Sequence, residues 1–110
     1  MADTPLIFWT SAHAYGINNI STTAQQVLGT QGQRVAVTFH NPGTVTMYVY
    51  PAQLSPAPTL STLGGSFEIL PGSDRTLYGG NTSNITAING AWSAFAASST
   101  GSLTIIESIA

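Results

Sequence analysis

Two histidines, His13 and His40, and four acids, Asp3, Glu68, Asp74 and Glu107, are the side chains of this 110-residue chain that could move protons or ligate a metal. A zinc-type site would need both imidazoles joined by carboxylates from that small pool, and the spacing of the histidines matches no ligand motif. A Ser-His-Asp arrangement can be drawn from any chain with 12 serines, but no Gly-x-Ser-x-Gly elbow or other activating context is present. Glycoside hydrolysis would require two of the four acids to meet in a cleft. Glu68 lies between Phe67 and Ile69, so alternation turns it away from them, toward solvent or Arg75. Structural pairs, Glu68 with Arg75 or Asp74 with Arg34, are the simpler expectation. Gly64-Gly65 and Gly79-Gly80 punctuate strand edges and lack the pattern of a phosphate loop. The chain reads as a non-enzyme with no catalytic residue, no metal and no cofactor.

Aromatic side chains offer a second kind of chemistry, because exposed Trp or Tyr rings on a β-sheet can stack on sugars. Trp9, Trp92, Tyr15, Tyr48, Tyr50 and Tyr78 are available. If Met47 and Val49 face a core, Tyr48 and Tyr50 face the other way, beside a proline-rich loop. That loop or a neighbouring subunit would then cover them, with a carbohydrate platform as the alternative.

The elements that must position these groups are strands. Val, Ile, Thr, Tyr and Phe are frequent, and the apolar spacing is mostly two. Strands are expected near 6–10, 22–28, 34–41, 45–50, 65–70, 74–78, 85–88, 92–97 and 102–107. The expected fold class is all-β, a β-sandwich or jelly-roll-like barrel of about eight short antiparallel strands. Its expected core is Val35, Val37, Phe39, Val45, Met47, Val49, Phe67, Ile69, Leu77, Leu103 and Ile105. A two-residue Pro42-Gly43 turn would mix the faces of the strands on either side of it. The link is therefore expected to be a wider loop or an arch from one sheet to the other. Residues 51–65 hold three prolines and no sustained alternation, which predicts a long ordered loop, with Leu54, Leu60 and Leu63 covering a sheet face or meeting a partner.

Charged residues make up 5% of the chain, against about 25% in ordinary soluble domains. Ser and Thr, 27 of the 110 residues, supply the polarity instead. A net charge of −2 with two arginines and no lysine excludes a nucleic-acid footprint and a basic membrane patch. No apolar run approaches the roughly 20 residues of a membrane span, and no signal-peptide core is seen, so synthesis in the cytoplasm is expected. With no cysteine, stability must come from packing. A surface so poor in charge is poorly protected against association. A homo-oligomer is expected, a trimer in preference to other symmetries.

The stretches RVAVTFHNPGTVTMYVYPA, GGSFEILPGSDRTLYG and AWSAFAASSTGSLTIIES together resemble small structural proteins of tailed-bacteriophage virions. The features shared are a strand opened by an arginine, an Asn-Pro turn, a Tyr-Val strand, a strand running into Leu-Pro-Gly, and a closing Thr-containing strand. The resemblance covers Arg34 to Ser108. It implies a virion protein made in the host cytoplasm that binds and stabilises the capsid lattice as a cement or decoration protein, partnered by the major capsid protein or another virion protein. A tail, neck or head-fibre component, or a carbohydrate-binding host-adhesion module, is the alternative. Residues 1–20 carry none of the resemblance and are read as an N-terminal arm or first strand, with 21–110 as a single β-sandwich domain. In that arm Leu6, Ile7, Phe8 and Trp9 form an apolar cluster suited to anchoring on a neighbour. With Tyr48, Tyr50, Leu54 and Leu60 they complete the expected partner-binding residues.

Overall fold

The computed structural model describes residues 11–78 and 86–109, in which alternation of period two becomes eight strands. These are β1 (Ser11–Ile20), β2 (Gln25–Leu28), β3 (Arg34–His40), β4 (Met47–Pro51), β5 (Phe67–Ile69), β6 (Asp74–Tyr78), β7 (Trp92–Ala96) and β8 (Gly101–Ile109). They form two four-stranded sheets, ordered β1-β8-β3-β6 and β2-β7-β4-β5, with antiparallel pairing throughout. One core lies between them, so the all-β sandwich read from the sequence is the fold. Val37, Phe39, Leu103 and Ile105 enter that core from the first sheet, and Met47, Val49, Ile69, Trp92, Ala94 and Ala96 from the second. Phe39 and Trp92 meet across the interface with ring centroids 5.2 Å apart.

The link between β3 and β4 is an arch between sheets, one of the two solutions that keep both apolar faces inward. Asn41 holds it. Its side-chain amide donates to the carbonyls of Val45 (2.7 Å) and Ile69 (2.9 Å), and its Oδ1 accepts from the Gly43 N–H at 3.0 Å. Its backbone exchanges hydrogen bonds with the turn between β5 and β6, Asn41 N to Ser73 O and Gly72 N to Asn41 O. Gly72 sits there at φ +79°, a left-handed conformation that L side chains adopt at a cost. Asn41 is thus fully buried with its polar atoms partnered, which removes the penalty of burying an amide.

Departures from the sequence-based expectation have local causes. The strand expected over 22–28 starts at Gln25, because the Ser21 hydroxyl accepts the Thr23 N–H and turns the chain there. In the segment expected as strand 85–88, residues Thr86–Asn89 form a 3-10 turn, and the Asn89 amide donates to the carbonyls of Gln31, Gly32 and Arg34. Val35 is only half-buried and lies outside the core cluster. A register shift between Arg34 and Ala36 breaks the alternation against β8, and Arg34 takes the inward place. Val45, Phe67 and Leu77, also expected inside, are partly buried against the cluster. Trp92, counted among rings free to face outward, is 2% exposed and belongs to the core. Residues 11–19, which show no clear period, form most of β1, paired along β8 from Ser11 opposite Ile109 to Ile17 opposite Leu103. The expected strand at 6–10 lies outside the described residues.

Candidate functional site

The only buried charges among the described residues meet at one end of the first sheet. Arg34 and Glu107 are 2% and 3% exposed, far below what either would tolerate unpaired. Arg34 Nε donates to Glu107 Oε1 at 2.8 Å, Nη1 to the carbonyls of Ile88 (2.8 Å) and Gly90 (2.9 Å), and Nη2 to the carbonyl of Gly29 (2.6 Å). The guanidinium fork thereby ties β3 and β8 to the loop after β2 and to the segment entering β7. Glu107 Oε2 accepts from the Tyr15 hydroxyl at 2.6 Å and lies 3.7 Å from His13 Nδ1. That hydrogen bond, with burial and the Glu107 charge, holds the Tyr15 phenol above its ordinary value.

The arrangement is a clamp. Every heavy nitrogen of the guanidinium is engaged, and the carboxylate oxygens are occupied by Arg34 and Tyr15. Neither the expected Glu68–Arg75 pair nor the expected Asp74–Arg34 pair forms. Arg75 lies over the Phe67 ring, 5.1 Å from its centroid, and Glu68 receives a long 3.5 Å contact from the Tyr48 hydroxyl. Asp74 pairs with His40, opposite it in the β3–β6 ladder. Two lone arginines could not reveal from sequence which acid each would meet, because the partners are far apart in the chain.

Burial by itself would raise the Glu107 pKa, but the Tyr15 hydrogen bond and the Arg34 hydrogen bond and charge outweigh it, with His13 adding to them, and hold the carboxyl below its ordinary value near 4.5. A depressed folded pKa means that stability from this group is complete above the unfolded value and is lost as pH falls through the folded one. Urea midpoints should therefore drop on acidification from about pH 5 to about pH 3, and drop less in Glu107→Gln, which lacks the titrating group. Equal acid sensitivity in the two proteins would show that Glu107 is not the linked group.

His13 and His40 are not brought together. His13 sits opposite Glu107 on the core side of the first sheet, whereas His40 shares its outer side with Thr104. Among the described residues no three His, Cys, Asp or Glu side chains gather in a way that could hold a metal ion.

The aromatic residues form a different site. Met47 and Val49 are inward, so Tyr48 and Tyr50 lie on the outer face of the second sheet with Phe95 of β7. Tyr48 stacks on Phe95 at 5.3 Å and Tyr50 tilts against it at 6.1 Å. Burial, then the charge and hydrogen bond of Glu68, hold the Tyr48 phenol above its ordinary value. The proline-rich loop after β4 rises beside these rings. Between loop and sheet lies a groove of about 650 Å³ lined by Thr22, Thr23, Ala24, Tyr50, Ala57, Pro58, Thr59, Leu60, Ser61 and Phe95. Tyr50 and Leu60 share this groove, and Tyr48 adjoins it through Phe95. Leu54 instead packs within its own loop, where a Cβ on Gly65 would come 2.4 Å from Leu54 Cδ2. Gly65, at φ +87°, accepts both that approach and the left-handed backbone. Phe95 and the hydroxyl-bearing rim, Thr22, Thr23, Thr59 and Ser61, were not anticipated as site residues. Alternation inside 92–96 carried the signal for Phe95, since Trp92 and Phe95 must face opposite ways on one strand. Leu6, Ile7, Phe8 and Trp9 lie outside the described residues.

No protein-family model matches the sequence, and no curated protein matches it. Two solved structures are similar to the chain. One is described as Bacillus endospore appendages that form a family of disulfide-linked pili, with a TM-score of 0.49 and 12% identity over 99% of this chain and 97% of that one. The other is the coat protein of Tobacco streak virus, with a TM-score of 0.31 and 12% identity over 86% of this chain and 85% of that one.

Proposed function

We propose that this protein is a non-catalytic structural subunit that works by docking, assembled from copies of itself and bound to a virion shell as a capsid cement or decoration protein. The observation that carries the reading is the outer face of the first sheet. Strand pairing lays three rows across it: Ala12, Ser108, Ala36 and Tyr78; Ala14, Ile106, Thr38 and Thr76; Gly16, Thr104, His40 and Asp74. The His40–Asp74 pair supplies the only charge in those rows. The rest is small, hydroxylic or apolar, with Ile106 42% and Tyr78 73% exposed. Among the described residues the face ends at β1, a ten-residue edge strand without lysine, arginine, acid or proline. Edge strands are ordinarily guarded by such residues, and a long unguarded one is a template for another chain. A second copy fits this face best, because a sheet surface of largely small, uncharged side chains meets its own copy with little charge repulsion. Leu6, Ile7, Phe8 and Trp9 run in sequence directly into this edge, and serve as the anchor to the shell.

Sedimentation of the purified protein should show an assembled species whose mass gives the copy number. Ile106→Lys, which sets a charge at the centre of the face, should disperse it without changing the β-type circular dichroism. Deleting residues 2–10 should leave self-assembly and remove shell binding. A wild-type protein that sediments as a monomer at all accessible concentrations would overturn the self-assembly reading.

A further inference from the structure

We propose that the groove between the proline-rich loop and the outer face of the second sheet binds a neutral sugar. This does not rest on the assembly reading, since the groove lies on the opposite sheet from the face described above.

The lining carries no charged side chain, so nothing in it selects an ionic ligand. It is nevertheless not simply apolar. Tyr50 and Phe95 form its floor with 5% and 1% of their surface exposed, the exposed Leu60 walls it, and the remainder is largely hydroxyl. Thr59 Oγ1 lies 3.2 Å from Ser61 Oγ and 2.8 Å from Thr62 Oγ1, so the loop presents a hydroxyl cluster already held in place. Tyr50 provides the independent observation. Tyr50 is 5% exposed and lines the groove, yet its hydroxyl has no hydrogen-bond partner among the described residues. A buried phenol normally finds a partner, because leaving the group unsatisfied is unfavourable. Water or a ligand hydroxyl entering the groove would supply that partner.

Other ligand classes fit less well. An extended peptide adds to a sheet through unpaired backbone groups. The strands beneath the groove, β4 and β7, are both central in β2-β7-β4-β5 and have none to offer. A lipid chain would fill the volume but leave the Tyr50 hydroxyl without a partner. A pyranose satisfies both halves of the site, setting its C–H face against the exposed Leu60 while its hydroxyls meet those of Tyr50, Thr23 and Thr59. The 650 Å³ available lies within the range of ordinary small-ligand sites.

The test is a proton NMR titration of the full chain with methyl β-glucoside, methyl β-galactoside and the N-acetylglucosamine trimer, with glucuronate as the charged control. At least one neutral sugar should shift the Tyr50 ring resonances while glucuronate does not. Tyr50→Phe removes only the hydroxyl and keeps the packed ring, and should weaken that binding about tenfold. Leu60→Ala changes an exposed wall residue and should also weaken it. The proposal is overturned if no neutral sugar shifts the ring, if glucuronate binds as well as they do, or if both variants bind as wild type does while retaining its spectrum.

Discussion

Arg34→Ala should be the most damaging single polar substitution in the molecule, with a loss of about 3–5 kcal/mol. The figure reflects what remains behind more than what is removed. In the variant, Glu107, 3% exposed in the intact protein, keeps only the Tyr15 hydroxyl and a histidine near its carboxyl. The carbonyls of Gly29, Ile88 and Gly90 lose their donors at the same time. Arg34→Lys should recover little, because an ammonium on a single stem cannot reproduce a planar fork that spans Glu107 and three carbonyls. Replacing both charges, Arg34→Met with Glu107→Met, should cost less than Arg34→Ala alone, since no unpaired charge is then buried. Urea unfolding of the three variants measures the differences. An Arg34→Ala protein within about 1 kcal/mol of wild type would mean that the clamp contributes no more than a surface ion pair.

Trp92→Ala should cost a similar amount, about 3–5 kcal/mol, by another mechanism. Trp92 is 2% exposed and packs against Phe39 of the opposite sheet and, at 6.1 Å, against Phe67 of its own. Its removal opens a cavity at the centre of the sandwich that two four-stranded sheets cannot collapse to fill. The melting temperature should fall on the order of 15 °C. Trp92→Phe retains part of the contact with Phe39 and should fall less. A Trp92→Ala protein that melts with wild type would place the ring outside the load of the core. The same substitution cannot serve to probe a sugar platform, since its effect on folding precedes any effect on binding.

Alternation made several parts of the fold legible. Val37 and Phe39, Met47 and Val49, and Leu103 and Ile105 declare a buried face by spacing alone, and all six are 0–1% exposed. The arch at Asn41-Pro42-Gly43 was legible for the same reason, as only certain connections keep both sets inward. What defeated local reading was local exception. A register shift gives the inward place beside Val35 to Arg34, and a serine hydroxyl shortens β2. In β7, Ser93 and Phe95 are buried as well as Trp92, Ala94 and Ala96, because one face meets the core and the other lies beneath the groove. A strand covered on both faces loses the contrast that alternation depends on.

The candidate site was legible only as a set of residue types. Tyr48 and Tyr50 could be assigned to an outward face by parity with Met47 and Val49. That Thr22 and Thr23 would close the groove from the other side depends on β2 pairing with β7, which a strand of four residues does not announce.

The sequence by itself determined the class of the molecule. Period-two spacing requires strands, and with charged residues at 5% the surface must take its polarity from hydroxyls. Tertiary structure decided who meets whom. β1 pairs with β8 across nearly the whole chain, and among the described strand pairs only β4–β5 joins neighbours in sequence, through a long loop. Such pairings depend on which faces are buried together and on the register that buries them, and both are properties of the assembled sheets. The Arg34–Glu107 clamp, 73 residues apart in sequence, and the groove over Tyr50 and Phe95 exist only once those sheets have formed.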